Sequence, residues 1–294
     1  MAHTLVRRAC IDIGSNTTRL LVADAEGHLL REVHQERAFT RITRGLEPDG
    51  TIAPAKIAEV AAAAASQLQT ARRLGANEVR AVATAAIRHA PNRAVLVEAI
   101  CAACGISITI LSGQEEARLA FVGAVGTMDH PPAGELGVVD VGGGSSELVV
   151  GIAPDHVSWS SSFAIGSGTL ADECLRSDPP SQRELAAARS RVDRALRGMA
   201  APRPPEAVAV GGSANSLRRL AGPRLDQAAF ARSFRLLSSH PAAEVARSLT
   251  LDAERVKLLP AGLLILEAAS ELFGTTLQIA RGGVREGVLL DASG

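Results

Sequence analysis

The 294-residue chain has no tyrosine, one tryptophan and six phenylalanines. Its apolar residues, 47% of the total, are therefore mainly Ala, Val, Leu and Ile, an ordinary core composition for a globular protein. Lysine is nearly missing, with Lys56 and Lys257 the only two, so the basic side chains are almost all arginine. Codon bias accounts for that, although an arginine lining a cleft is the better fork for phosphate oxygens. Formal net charge is zero, which excludes a whole-surface basic footprint for nucleic acid or anionic membrane but not a local basic channel. Residues 1–8 carry no signal-peptide apolar block. The longest apolar stretch, 261–266, falls far short of the ~20 residues a spanning helix needs. A cytoplasmic protein without nucleic-acid or membrane partners is the expectation. Four cysteines, at positions 10, 101, 104 and 174, are too few for a disulfide framework in a chain of this size. Cys101 and Cys104 have CxxC spacing, but no second Cys or His pair follows at a zinc-site interval, so buried thiols are expected.

Against these absences stands a duplication. Asp12-Ile13-Gly14-Ser15-Asn16-Thr17-Thr18-Arg19-Leu20-Leu21-Val22 aligns without a gap on Asp140-Val141-Gly142-Gly143-Gly144-Ser145-Ser146-Glu147-Leu148-Val149-Val150. Each copy follows a short apolar run and opens another, the pattern of strand, tight glycine turn, strand. Such a turn places backbone N–H groups beside a carboxylate: the amides suit phosphate and the carboxylate suits a divalent cation. Two copies in two halves of one chain point to two facing domains that grip one phosphorylated ligand, with residues 1–127 as the first and 128–294 as the second.

The rest of the chain keeps that order. A third strand-like stretch over 29–42 follows the first hairpin, then a helix over 54–74 with Pro54 in its first turn and Gly75 closing it. A strand over 79–83, a helix over 91–104, a strand over 106–111 and a helix over 113–126 complete the first half. After the Pro/Gly-rich break at 129–134 the second half repeats a three-strand meander (136–140, 147–152, 157–163). Helices, a strand over 207–210 and a short strand near 277–280 follow. This β-β-β-α-β-α order, given twice, predicts an α/β protein of two actin-like (ribonuclease H-like, ASKHA) domains with an interdomain active-site cleft.

Ser112 stands between a strand and a helix, a natural N-cap, and Glu115 occupies the capping-box position, from which its carboxylate is expected to turn back to the backbone. Glu116 is not used by that cap. It either favours the helix dipole or, pointed into a cleft, orients or deprotonates a water. Gly211-Gly212-Ser213 lies between a strand and a helix and reads equally as a phosphate cradle or a tight βα turn. Asp12 has an Asx-turn as its alternative role, and Arg88 that of a surface residue at a helix entry.

Several segments together resemble the exopolyphosphatase / guanosine pentaphosphate phosphatase (Ppx/GppA) family. They are Asp12 to Thr17 with Arg19-Leu20, Ala83 to Asn92 with Thr84 and Arg88, Leu111 to Leu119 with the Glu115-Glu116 pair, Val139 to Glu147, and Gly282-Gly283-Val284-Arg285-Glu286-Gly287. The resemblance implies that Glu116 is the catalytic base and Arg88 a phosphate clamp. It makes Gly14, Ser15, Asn16 and Thr17 the first phosphate loop and Gly142, Gly143, Gly144 and Ser145 the second. Asp140 is implied as the carboxylate that holds Mg2+ (or Mn2+), with Glu147 helping to place metal or water. Asp12 is a further metal candidate, and Gly212 and Ser213 are candidate phosphate contacts.

The implied activity is release of the terminal phosphate from inorganic polyphosphate, with the 5′-phosphate of guanosine pentaphosphate (pppGpp) as second choice. A phosphorylated guanine nucleotide or polyphosphate is the expected partner, and a homodimer is the assembly common among relatives. The alternatives are an actin-like small-molecule kinase, for which no acceptor base is found, and a non-catalytic nucleotide- or alarmone-binding regulator, which would not need Glu116. This chain carries Ala85 where Ser is usual and Arg281 where many relatives have an acidic or small residue. It also lacks the helical HD-type domain that long relatives append, so processive action on long chains is not expected.

Overall fold

The computed structural model describes residues 5–26 and 29–291; the amino-terminal stretch 1–4 read above lies outside the described residues. In chain order the first elements are β1 (Val6–Ile13), β2 (Thr18–Glu26), β3 (Leu29–Ala38), α1 (Pro54–Arg73) and β4 (Glu78–Ala83). Next come α2 (Ala85–His89), α3 (Arg93–Cys104), β5 (Ile108–Ile110) and α4 (Gly113–Gly126). The second meander is β6 (Glu135–Val141), β7 (Ser146–Ile152) and β8 (His156–Phe163), followed by α5 (Ser167–Cys174), α6 (Gln182–Leu196) and β9 (Glu206–Val210). The chain then forms α7 (Gly211–Ala221), β10 (Arg224–Leu225), α8 (Gln227–Ser239), α9 (Ala242–Leu249) and α10 (Ala253–Val256). It ends with α11 (Leu259–Phe273), β11 (Leu277–Ile279) and α12 (Val284–Leu290).

Contacts divide the chain into two compact units. The first sheet has the order β3-β2-β1-β4-β5. β1, β2 and β3 pair antiparallel, as hairpins require, while β4 and β5 run parallel to β1 after helical crossovers. The second sheet, β10-β11-β9-β6-β7-β8, repeats this plan: an antiparallel β6-β7-β8 meander, then β9 and β11 parallel to β6. The two-residue β10 is added antiparallel at the edge. Parallel strands buried on both faces explain the near-continuous apolar runs at 136–139 and 207–210.

In the first unit one face of the sheet packs on α1 and α3 through Ile11, Ile13, Leu20 and Val22. The opposite face, with Cys10, Leu21 and Val82, packs on α4 and α12. Residues 282–291 thus belong to the first unit, whereas the sequence reading had placed them in the second domain. The cause is packing. Val284, Val288 and Leu289 join the cluster on that face, and Arg8 and Arg80 donate to the carbonyls of Leu289 and Val288. The helices also touch backbone to backbone: a Cβ on Gly123 would meet the Gly283 carbonyl at 1.9 Å, and one on Gly287 the Leu119 carbonyl at 2.0 Å. In the second unit the first half of α11 is buried through residues 259–266, which accounts for the apolar run at 261–266. No helix among the described residues is long and apolar enough to cross one.

Candidate active-site residues

In each unit the candidate residues lie at the carboxyl ends of the parallel strands, where open α/β sheets bind ligands. In the first unit these are the turn after β1, the turn after β4 that carries Thr84 and Arg88, and the turn after β5 that leads into α4. In the second they are the turn after β6 and the β9-to-α7 junction.

The two glycine turns share one backbone. Gly14 N donates to the Thr17 carbonyl at 3.0 Å, and Gly142 N to the Ser145 carbonyl at 3.0 Å. Each turn's own carbonyls are taken by the segment packed behind it. Arg41 N and Thr43 N donate to Asn16 and Ser15, while Ser167 N donates to Gly142 and both Gly168 N and Thr169 N to Gly143. The amides of Ser15, Asn16, Gly143 and Gly144 take no part in these backbone hydrogen bonds among the described residues, so the turns retain the donors that suit an anion.

The side chains differ. Asp12, 2% exposed, stands directly across from Arg19 in the β1–β2 register, and Arg19 Nη2 donates to Asp12 Oδ2 at 2.7 Å. A guanidinium thus holds one oxygen of this carboxylate. At the matching position Asp140 stands across from Glu147, and both are buried, at 9% and 1% exposure. Ser162 Oγ, next in the same row, donates to Glu147 Oε1 at 2.9 Å. Two buried carboxylates at opposed positions repel unless a cation lies near. Their hard oxygens suit Mg2+, which takes one or two carboxylates and completes its shell with water and phosphate. No group of three or more His, Cys, Asp or Glu that could hold a metal ion occurs among the described residues.

The β9-to-α7 junction lies against Asp140. Gly211 has φ of +85°, and a Cβ there would fall 2.3 Å from Asp140 Oδ1, so the position demands glycine twice over. Arg255, buried at the end of the short helix α10, brings its guanidinium within 3.0–3.3 Å of where a Cβ on Gly212 would stand. Sequence reasoning missed Arg255. The one available signal was an Asp252 N-cap that starts a helix four residues long, since Asp252 Oδ1 accepts from Glu254 N and Arg255 N. Ser213 is buried under α11, with its Cβ and Oγ 2.9 Å from where a Cβ on Gly262 would lie.

In the first unit Arg88 is held by α2. Its Nη1 donates to the Leu111 carbonyl at 2.7 Å and to Glu116 Oε2 at 2.9 Å. Glu116 is 6% exposed and belongs to the first turn of α4. Ser112 Oγ caps that helix by accepting from Glu115 N at 3.1 Å. The expected return of the Glu115 carboxylate to the backbone does not occur. It pairs instead with Arg118, whose Nη2 and Nε donate to it at 2.8 and 3.0 Å, a charge-assisted pair that outcompetes a neutral amide. That pair, with Asp291, raises the Arg118 pKa above its ordinary value. Cys10, fully buried under Asp12, has its thiol pushed well above the usual range, first by burial and then by that carboxylate, so it packs as a neutral thiol.

A family model described as the Ppx/GppA phosphatase family matches residues 21–293. Exopolyphosphatase 2 of Mycobacterium tuberculosis is 38% identical over 206 residues, which cover 66% of this chain and 64%, just under two thirds, of that protein. Exopolyphosphatase 1 of the same organism is 30% identical over 97% of this chain and 88% of that protein. The crystal structure of the Aquifex aeolicus member of the Ppx/GppA family superposes with a TM-score of 0.81 at 26% identity, covering 98% of this chain and 97% of that one. The duplicated ribonuclease H-like sheet is thus the actin-like fold expected from the sequence, and the chain belongs to the Ppx/GppA phosphatase family.

Proposed function

We propose that the protein is a phosphohydrolase that releases the terminal phosphate of inorganic polyphosphate, with the 5′-phosphate of pppGpp as the second substrate. The observation that carries this reading is the buried Glu116 held by Arg88 at 2.9 Å in a helix turn whose capping does not use it. Glu116 accepts a proton from water as its oxygen attacks the terminal phosphorus, the bridging P–O bond breaks, and the shortened chain leaves with that electron pair. Arg88 orients the carboxylate, and the turn amides steady the phosphoryl oxygens. Asp140 and Glu147 would hold Mg2+, which when bound neutralises charge on those oxygens. Arg255, beside Gly212, would add a fixed positive charge at the second turn. Polyphosphate is placed first because the exopolyphosphatase-named relatives reach 38% identity, and one of them aligns over nearly its whole length.

The test compares phosphate release, with Mg2+, from short and long polyphosphate, pppGpp and ATP. Glu116→Gln should lower kcat by about 10²–10⁴-fold with KM little changed. A variant with wild-type turnover would remove Glu116 as base, and a wild-type protein that releases phosphate from none of the four would end the hydrolase reading.

A further inference from the structure

The second unit holds a cavity of about 180 Å³ that the proposed chemistry does not use. It lies between the loop after α5, the end of α8, the start of α9 and the junction of α10 with α11. Buried Leu237, Ala242, Val256 and Pro260 make its floor, and exposed Arg176, Asp178 and Lys257 its rim. The floor side chains offer no hydrogen bonds, so the group that fills them is apolar. A cavity of ~150 Å³ is enough for a benzene ring.

The protein itself holds the rim in place. Glu184 of α6 accepts from the backbone N–H groups of Arg176, Ser177 and Ser181 at 2.8–2.9 Å, and from the hydroxyls of both serines, which fixes the loop after α5. Asp178 Oδ1 accepts from Ala242 N at 2.7 Å, so the acid of the rim is taken up by the N-terminus of α9. His240 Nδ1 lies 3.4 Å from the Leu236 carbonyl. Lys257 Nζ donates to Glu254 Oε1 at 2.8 Å. That leaves the Arg176 guanidinium, which makes no hydrogen bond or ion pair with the described residues. A planar guanidinium fork beside an apolar floor matches a carboxylate in charge and in shape.

We propose that this cavity binds a small monocarboxylate whose apolar body is about the size of a benzene ring, with its carboxylate on Arg176 and its body on the floor. One guanidinium without a partner calls for one negative charge. Such an occupant touches Val256, and Arg255, the residue before it, brings its guanidinium to Gly212. Binding therefore steadies the one-turn helix that carries Arg255.

Benzoate is the probe, added to the full chain and followed by ligand-observed NMR and amide hydrogen exchange. It should bind with a Kd of about 1 mM or tighter. Acetate, which lacks the apolar body, and benzylamine, which carries the opposite charge, should each bind at least about tenfold more weakly. Exchange should slow over residues 176–178 and 253–258 when benzoate is present. Arg176→Gln, at an exposed side chain, should weaken benzoate about tenfold and leave the melting temperature unchanged. Acetate or benzylamine binding as tightly as benzoate overturns the ligand class. The site itself is overturned by any of three results: no benzoate binding at about 10 mM, protection confined to other segments, or wild-type affinity in Arg176→Gln. None of these measurements depends on phosphate release, so the hydrolase reading stands or falls separately.

Discussion

The two glycine turns have the same internal hydrogen bond at the same 3.0 Å length, yet the rows of side chains beside them carry opposite charge. Beside the first turn the row is Asp12, Arg19, Arg37; beside the second it is Asp140, Glu147, Ser162. One row has an excess of cations and closes an internal ion pair at 2.7 Å, while the other concentrates two buried carboxylates. Backbone geometry that suits phosphate is therefore common to both copies. The position directly across from the aspartate differs between the copies: an arginine, Arg19, stands across from the first aspartate and a glutamate, Glu147, across from the second. A duplicated fold can in this way diverge in function without moving its backbone.

Removing the acid from the second row should have the largest effect. Asp140→Asn is expected to lower Mg2+-dependent phosphate release at least about a hundredfold. It should also abolish any rise in melting temperature on adding Mg2+, because an ion that binds only the native state stabilises by mass action. A variant that keeps the Mg2+ response would break the comparison at its centre.

Next in size is the first row. Arg19→Gln leaves the Asp12 carboxylate buried without its guanidinium. Urea unfolding should show a loss of about 2–3 kcal/mol, less than for a fully buried pair because Arg19 is a quarter exposed. The double variant Asp12→Asn/Arg19→Gln should recover much of that loss. A neutral Arg19→Gln would mean that the two aspartates are not as differently placed as the register implies.

The smallest expected effect concerns the turns that approach the two aspartates. After β4 the first unit uses Thr84 in extended conformation, φ −119° and ψ −154°. After β9 the second uses Gly211 in a left-handed conformation against Asp140. Gly211→Ala should cost about 1–2 kcal/mol of stability. It should also weaken the Mg2+ response by displacing Asp140, as thermal melts with and without Mg2+ would reveal. If only stability changes, the glycine serves the backbone and not the carboxylate.

Much of this was legible locally. The helix over 113–126 was read to the residue because Ser112 caps it and its apolar spacing is helical. The strand meanders followed from the apolar runs on either side of the glycine turns. Other features left weak local signals. The five-residue α2 is too short for a periodic pattern, so the helix expected over 91–104 begins instead at Arg93 with α2 ahead of it. The two-residue β10 has no pattern at all. The Glu115 carboxylate had two partners within one helical turn, and spacing could not say that Arg118 would win over the backbone.

By itself the sequence determined the kinds of element, their duplicated order and the charge difference between the two turns. Each of these depends on residues within a turn or a hairpin of one another. Tertiary structure alone decided that Arg88 holds Glu116, that Gly211 abuts Asp140, that Arg255 lies beside Gly212, and that residues 282–291 pack on the first sheet. Those contacts join residues from 28 to more than 200 positions apart. What selects them is burial and backbone approach in the folded chain, which no local pattern encodes.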